Sequence, residues 1–282
     1  MQSLDLSEYI DPGRSCLCRG AVAATFSHHL VLVHSEHDYF VTELSRIAAD
    51  MKSSWSPELT VKKYRALLEQ ASKLDLPESQ RDRLFCLHDF FFNKRGFSSL
   101  ASKPTLDKCL LPYTLLSRSG PPEVLLLLFL SLAKNLNLQL EVLQGPKLWI
   151  IKLLDSGKSH LFEFDCLFRE YSKAEIVDMV NAGCDFTQSV NAKTLLTNYL
   201  SLLKTQSLRE RSLVQFYKLQ SHLIHHQPFA LQHLVDRARA AYAIGDLVRA
   251  AEDLGQYMTF RSEKVTNSRY AKLLRKMKAR HF

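Results

Sequence analysis

Glycine and proline are scarce, nine of each in 282 residues, which excludes long disordered or loop-rich stretches. A membrane-spanning run is also missing. The longest apolar stretch, Val124 to Leu130 extended by Leu132 and Ala133, is too short for a bilayer and reads as a buried helix. No basic residue precedes Arg14, so "MQSLDLSEYIDPG" does not read as a secretory leader, and a cytoplasmic location is expected. The six cysteines are Cys16, Cys18, Cys86, Cys109, Cys166 and Cys184, too few for a disulfide scaffold in a chain this long. Most lie in apolar runs and read as buried free thiols in a reducing compartment. There is no glycine-rich phosphate loop and no serine-centred elbow. Glu163, Asp165 and Glu170 lack the context of a paired-carboxylate site. The body of the chain also lacks net charge. The formal total is +8, but eight Lys or Arg and one acid, Glu263, fall between Arg261 and Phe282, so that tail alone carries +7.

What is present is mostly helical periodicity. Residues 1–38 give a turn at Asp11-Pro12-Gly13, and Leu30 to Val33 read as a short strand or the start of a helix. From Tyr39, the residues Phe40, Leu44, Ile47 and Ala48 fall on one helical face. Ser56-Pro57-Glu58 opens a second helix bearing Val61, Tyr64, Leu67, Leu68 and Ala71. A third helix is expected to start at Pro77-Glu78, to carry Leu84 through Phe92 and to stop at Gly96. Residues 98–119, around Pro104 and Pro112, read as an irregular stretch. Gly120-Pro121-Pro122-Glu123 then opens the most apolar helix, running to about Leu136. "LQLEVL" alternates, with Leu138, Leu140 and Val142 on one face, and "KLWIIKLL" reads as a mostly buried strand. Asp155-Ser156-Gly157-Lys158 is a hairpin turn into "HLFEFD". A small antiparallel sheet packed on helices makes the class α+β. After Thr194 the pattern is helical, with breaks expected at Gln206-Ser207, Gln227-Pro228 and Gly245-Asp246.

Two stretches resemble known families. In "DRARAAYAIGDLVRAAEDLGQYM", Ala238, Ala241, Ala250 and Ala251 alternate with Tyr242, Leu254 and Tyr257 around Gly245-Asp246. This resembles a tetratricopeptide-type helix pair. "NYLSLLKTQSLRERSLVQFYKLQ" resembles a second pair with Ser207 at the turn, 38 residues before Gly245 and near the repeat length of about 34. Upstream, "FFFNKRGF" and "LLSRSGPPEVLLLLFLSLAKNLNLQLEVL" resemble the transglutaminase-like core of the SirB-type invasion-regulator family, a bacterial family. Gly120-Pro121-Pro122 takes the place of its "GIP" turn. Lys134 to Leu140 takes its "R-x-L-G-L-P-L" step. "FEFDCLFREYSKAEI" matches a later segment through Asp165, Ser172 and Glu175. The likeness spans roughly residues 40 to 260.

The resemblance implies a papain-like, transglutaminase-like core over 39–190 and a tetratricopeptide-like module over 191–282. An active core of that kind needs a thiol at the N-terminus of the apolar helix, a histidine on the next strand and an acid on the one after. The helix start has no cysteine, and Leu148 occupies the expected histidine position. The family's "D-P-x-N-S-x-L-N" segment is here Thr105 to Pro112, with most of its polar groups gone. Only Asp165 remains as the acid. The core therefore reads as degenerate, and the chain as a non-catalytic regulatory protein without a cofactor. A relocated Cys109–His160–Asp165 site, making a cysteine hydrolase or transamidase, is the alternative.

Other candidates are weaker. Cys16-x-Cys18 with His28, His29, His34 and His37 is not zinc-knuckle spacing. His222, His225 and His226 share a helix face before Gln227-Pro228, with His233 beyond, and read as repeat-helix residues rather than metal ligands. The tail is the best interaction feature. Tyr270, Leu273, Leu274 and Met277 form an apolar stripe, and Arg269, Lys272, Arg275, Lys276, Lys278 and Arg280 fill the other faces. The expected partner is an acidic protein segment. Nucleic acid is the lesser alternative, because the body lacks interleaved aromatic and basic residues.

Overall fold

The computed structural model describes residues 36–100, 104–145, 149–155, 157–183, 189–261 and 275, with backbone only at 36–38. The first element of the described residues is α1 (Glu36–Met51), whose buried stripe is Phe40, Val41, Leu44, Ile47, Ala48 and Met51. α2 (Pro57–Ser72) starts where Ser56 caps it, its Oγ accepting the Leu59 amide at 3.2 Å, and proline sits in the first turn, where a missing N–H costs nothing. α3 (Gln80–His88) begins two residues after the expected start. Ser79 has the side chain that accepts the Asp82 amide, so it outcompetes Pro77-Glu78 as the boundary. α3 runs straight into a π-helical turn, Asp89–Lys94, and Gly96 at φ +68° ends it.

Residues 98–100 and 104–119 are more ordered than the polar sequence suggests. A two-residue strand β1 (Ser98–Ser99) pairs in parallel with β2 (Ser119–Gly120). Between them lie a 3₁₀ turn, Asp107–Cys109, and a short helix α4 (Leu111–Ser117). Pro112 falls in the first turn of α4, where it is compatible with helix, and Leu111, Pro112, Thr114 and Leu115 are buried. Gly120 is needed there: a Cβ would stand 2.4 Å from Thr114 Oγ1.

α5 (Pro122–Asn135) is the central helix, and every residue from Val124 to Ala133 is buried. Its one buried hydroxyl, Ser131, is hydrogen-bonded to Tyr64. The antiparallel sheet follows in the order β3 (Leu140–Gln144), β4 (Trp149–Asp155), β5 (Lys158–Glu163). Leu138 is buried but precedes the strand. Gly157 at φ +78° supports the hairpin, which closes at the pair Asp155 and Lys158. Val142, Ile151, Leu153 and Phe162 face the main core, while Leu143, Ile150 and Leu161 face the other way, against Tyr171, Ile176 and Met179. Ile176 and Met179 belong to α6 (Lys173–Asn181), which opens with a full capping box between Ser172 and Glu175.

The rest is α7 (Ala192–Arg209), α8 (Leu213–His226), α9 (Gln232–Ile244) and α10 (Leu247–Phe260). The breaks at 227–228 and 245–246 fall where the sequence places them. The one at Gln206-Ser207 does not. Ser207 lies inside α7, fully buried, its hydroxyl donating to the Lys204 carbonyl at 2.7 Å. The turn comes at 210–212, with Arg211 at φ +55°. Leu203 and Leu208 carry the helical pattern through Ser207, and a serine that back-bonds to its own helix does not break it. The corrected turn, Arg211, stands 34 residues before Gly245 at φ +91°.

α7 is not separate from the core. Leu195, Leu196, Tyr199, Leu200 and Leu203 join α1, α2, α5 and the sheet in one apolar cluster, with Leu219 and Leu223 of α8. α9 and α10 meet through a second cluster, Ala238, Ala241, Ala250 and Leu254. Small side chains let those two helices approach closely.

Candidate functional site

The N-terminus of α5 is where a transglutaminase-like core would carry its nucleophile. Here it bears Pro121, Pro122 and Glu123. Burial pushes the Glu123 carboxyl up, and its Oε2 is buried with no hydrogen-bond partner among the described residues. Tyr199 lies nearby, fully buried, its hydroxyl donating to the Cys109 carbonyl at 3.1 Å. The Cys109 thiol is itself buried and pushed up to about 12, first by burial and then by the charges of Glu210 and Glu123. At neutral pH a thiol with that pKa is about one part in 10⁵ thiolate.

His160 and Asp165 lie elsewhere and are otherwise engaged. His160 Nδ1 meets Glu170 Oε1 at 2.6 Å, and the other carboxylate oxygen accepts from Arg81 Nη2 at 2.7 Å. The Arg81 guanidinium lies 5.0 Å over the Phe85 ring. Glu170 is placed by an isolated bridge to Phe162 on β5. Asp165 Oδ1 accepts the amides of Leu167 and Phe168 at 2.9 and 2.8 Å, which holds the turn in which Phe168 takes φ +48°. The Asp165 carbonyl lies 3.2 Å from His88 Nε2, and His88 stacks on Phe168. Among the described residues, Cys109, His160 and Asp165 share no partner. Among the described residues no hydrogen bond joins the three.

Two of the three histidines of α8, His222 and His226, face α1, whereas His225 is exposed, so the three do not share one face. His226 Nε2 is 3.1 Å from Glu43 Oε1, and His222 Nε2 is 3.0 Å from Asp50 Oδ2. Arg46 holds Glu43 with both Nε and Nη2, at 2.9 and 2.7 Å. His233 turns instead to Gln220 and Gln227. Each nitrogen described here has a protein partner, and among the described residues no group of three or more His, Cys, Asp or Glu is placed to hold a metal ion. Two buried ties hold the later helices: Arg237 forks Asp253 at 2.8 and 2.7 Å, and Lys204 reaches Asp236 at 2.7 Å.

Sequence reasoning missed Glu123, Glu170, Arg81 and Glu43 as organising residues. Glu123 had a signal, an acid in the first turn of an otherwise apolar helix. Glu43 had one too, an acid inside the α1 stripe. Arg81 and Glu170 are 89 residues apart, and nothing local joins them. Leu148, the Cys16/Cys18 segment and the basic tail lie outside the described residues, apart from Arg275, which is helical and exposed.

A groove of about 470 Å³ lies where the C-terminal end of α5, β3 and the start of α7 meet. Leu130, Leu138, Val190 and Leu195 wall it, with Lys134 and Lys152 among its polar residues.

A family model described as transglutaminase-like superfamily matches residues 39–214. The chain belongs to that superfamily. Its transglutaminase-like domain is mostly helical with small sheets, and the match runs past β5 through α7, in keeping with the shared core. No curated protein matches the chain. Among solved structures it is similar to menin, in a structure titled as revealing the binding site for Mixed Lineage Leukemia protein. The identity is 11% and the TM-score 0.38, over 80% of this chain and 62% of that one. The chain thus spans under two thirds of menin, and a likeness that low carries no argument. No helix among the described residues is long and apolar enough to cross a membrane.

Proposed function

We propose that this transglutaminase-like protein is a non-catalytic interaction protein that binds a protein partner through its C-terminal helices. The observation that carries the reading is the state of Cys109. It is buried, its thiol is pushed up to about 12, and it shares no partner with His160 or Asp165. Positions 120–124 and 147–150 contain neither cysteine nor histidine. The superfamily match covers residues 39–214, which include both of those stretches. Membership in a SirB-type, cytoplasmic bacterial group rests on the "GPP" turn and the Lys134–Leu140 step.

The binding surface is assigned to α7–α10 and the basic segment after them. Four consecutive helices joined by short turns, with turn residues Arg211 and Gly245 34 apart, support tetratricopeptide-like pairing. Such stacks bind through their extended faces. Arg269, Lys272, Arg275, Lys276, Lys278 and Arg280 give that end of the chain its charge and suit an acidic partner. The test compares the full chain with one in which Lys272, Arg275, Lys276 and Lys278 are all Gln. Capture of an acidic protein from the native cell should fall and become salt-insensitive. Unchanged capture, with loss of binding to random duplex DNA, contradicts the protein-binding assignment.

A further inference from the structure

One arginine pair is left unexplained by this reading. Arg95 ends the π-helical turn, its amide donating to the Phe90 carbonyl at 2.8 Å. Arg118 ends α4, its amide donating to the Thr114 carbonyl at 2.9 Å. The parallel β1–β2 pairing, Ser98 with Ser119 and Ser99 with Gly120, lays the two chain segments side by side. The Ser98 amide donates to the Arg118 carbonyl itself, at 2.9 Å. Each guanidinium lies over a phenylalanine: Arg95 at 5.0 Å from the Phe90 ring centre, Arg118 at 5.1 Å from Phe97. Both side chains are half-buried.

Neither has an acid. Among the described residues no carboxylate pairs with Arg95 or Arg118, and Arg95 Nε is buried without a hydrogen-bond partner. A ring face attracts a guanidinium but does not satisfy its N–H groups. The helix C-termini attract cations, yet their carbonyl fields do not supply those bonds either. Burial, and then the charge of Arg95, hold the Arg118 guanidinium below its usual pKa. The backbone at Arg118 is left-handed, φ +62°, a conformation glycine adopts more readily than arginine. An arginine held there, beside a second unpaired one, is a costly arrangement unless an anion completes it.

We propose that Arg95 and Arg118, with Ser98 and Ser119 along the same strand pair, form a binding site for a phosphate group. Two guanidinium forks match a tetrahedral dianion better than a single carboxylate, which one fork already satisfies. The site lies beside the strand pair that leads into α5. It does not rest on the partner-binding reading.

The test is thermal unfolding of the full chain at pH 7.5, with sodium phosphate replacing sodium chloride at constant ionic strength. Phosphate should raise Tm by roughly 2–4 °C, more with concentration, because it binds the folded state alone. Arg95→Gln and Arg118→Gly should each abolish that rise. Arg118→Gly suits the left-handed backbone, so it should fold at least as stably in chloride, since it also removes a repulsion. Lys94→Gln, whose side chain pairs with Asp89, should keep the rise. Line broadening of the ³¹P signal by the wild type and not by either variant gives a second readout. Adenosine monophosphate separates the sources: a larger rise than with inorganic phosphate assigns the group to a nucleotide, and an equal one to free phosphate. No rise beyond chloride in the wild type, a rise that survives both variants, or an effect of the nucleotide alone overturns the proposal.

Discussion

Glu43 shows how a single residue can tie two parts of the chain. Burial alone pushes its carboxyl up. The His222 ring 3.8 Å away, hydrogen bonds from Arg46 and His226, and the Arg46 charge outweigh that and leave it well below the usual carboxylate range. A carboxyl held low in the folded state contributes stability above its unfolded pKa of about 4.3, and that stability is lost as pH falls further. Burial acts on the histidines in the opposite sense. His88, His226 and His233 are each pushed down, chiefly by burial. The unfolded chain then takes up their protons first, so stability should begin to fall as pH drops below about 6.5. Urea midpoints measured from pH 7.5 to 3 should decline first below about pH 6.5, where the histidines act, and again below about pH 4.3, where Glu43 does. His226→Gln should flatten the part between pH 6.5 and 5, and an unchanged slope would show that His226 titrates as freely folded as unfolded. Glu43→Gln removes the charge and puts an NH2 donor in place of one of the two acceptor oxygens facing Arg46 and His226, and should cost about 1–3 kcal/mol in the same measurement at pH 7.5.

At the scale of elements, the turns and the central helix decide the fold. Gly245 takes φ +91° between α9 and α10, with Asp246 capping the second helix through the Arg249 amide at 3.0 Å. Gly245→Ala should cost about 1–2 kcal/mol by chemical denaturation, as expected for an L-residue forced left-handed. Leu128→Ala in α5, where Leu128 is 1% exposed, should cost about 2–5 kcal/mol. A loss well under 1 kcal/mol in the second case would mean that α5 is not the packed centre. These are the elements that local pattern reveals. An unbroken apolar run has only one place to go, and Gly-Asp, Ser-Pro and Ser-Gly are turn and cap signals in their own right. The misses have a common cause. α4 was hidden because Pro112, a breaker in most contexts, fell in a first turn. The 206–207 break was misplaced because Ser207 can satisfy its hydroxyl inside a helix. The boundary at residue 190 hid the burial of Leu195, Leu196 and Tyr199, since an amphipathic helix does not say which neighbour its stripe meets. The site was legible only in its gaps. That positions 120–124 hold no cysteine and 147–150 no histidine is visible in the sequence, whereas the engagements of His160 with Glu170 and Asp165 with its own turn come from pairings no local pattern encodes.

At the scale of the whole molecule, the core and the first C-terminal helices are one body. α7 contributes five residues to the main cluster, Leu195, Leu196, Tyr199, Leu200 and Leu203, each no more than 1% exposed. Leu219 and Leu223 of α8 extend it. A fragment ending at residue 190 should therefore lose its cooperative thermal transition, while one ending at 227 should retain it. A sharp transition in the shorter fragment would restore the boundary at 190. This coupling bears on the proposed function, because a partner seated on α7–α10 would grip helices rooted in the transglutaminase-like core. The central claim is that this core does no thiol chemistry, and peptide-mapped alkylation tests it most directly. Native protein is treated briefly with iodoacetamide at pH 7.5, and a denatured sample serves as the reference. Cys166, which is exposed, should be modified in both, and Cys109 only after denaturation. Rapid, selective modification of Cys109 in the native protein requires a thiolate that its burial forbids, and would contradict the account.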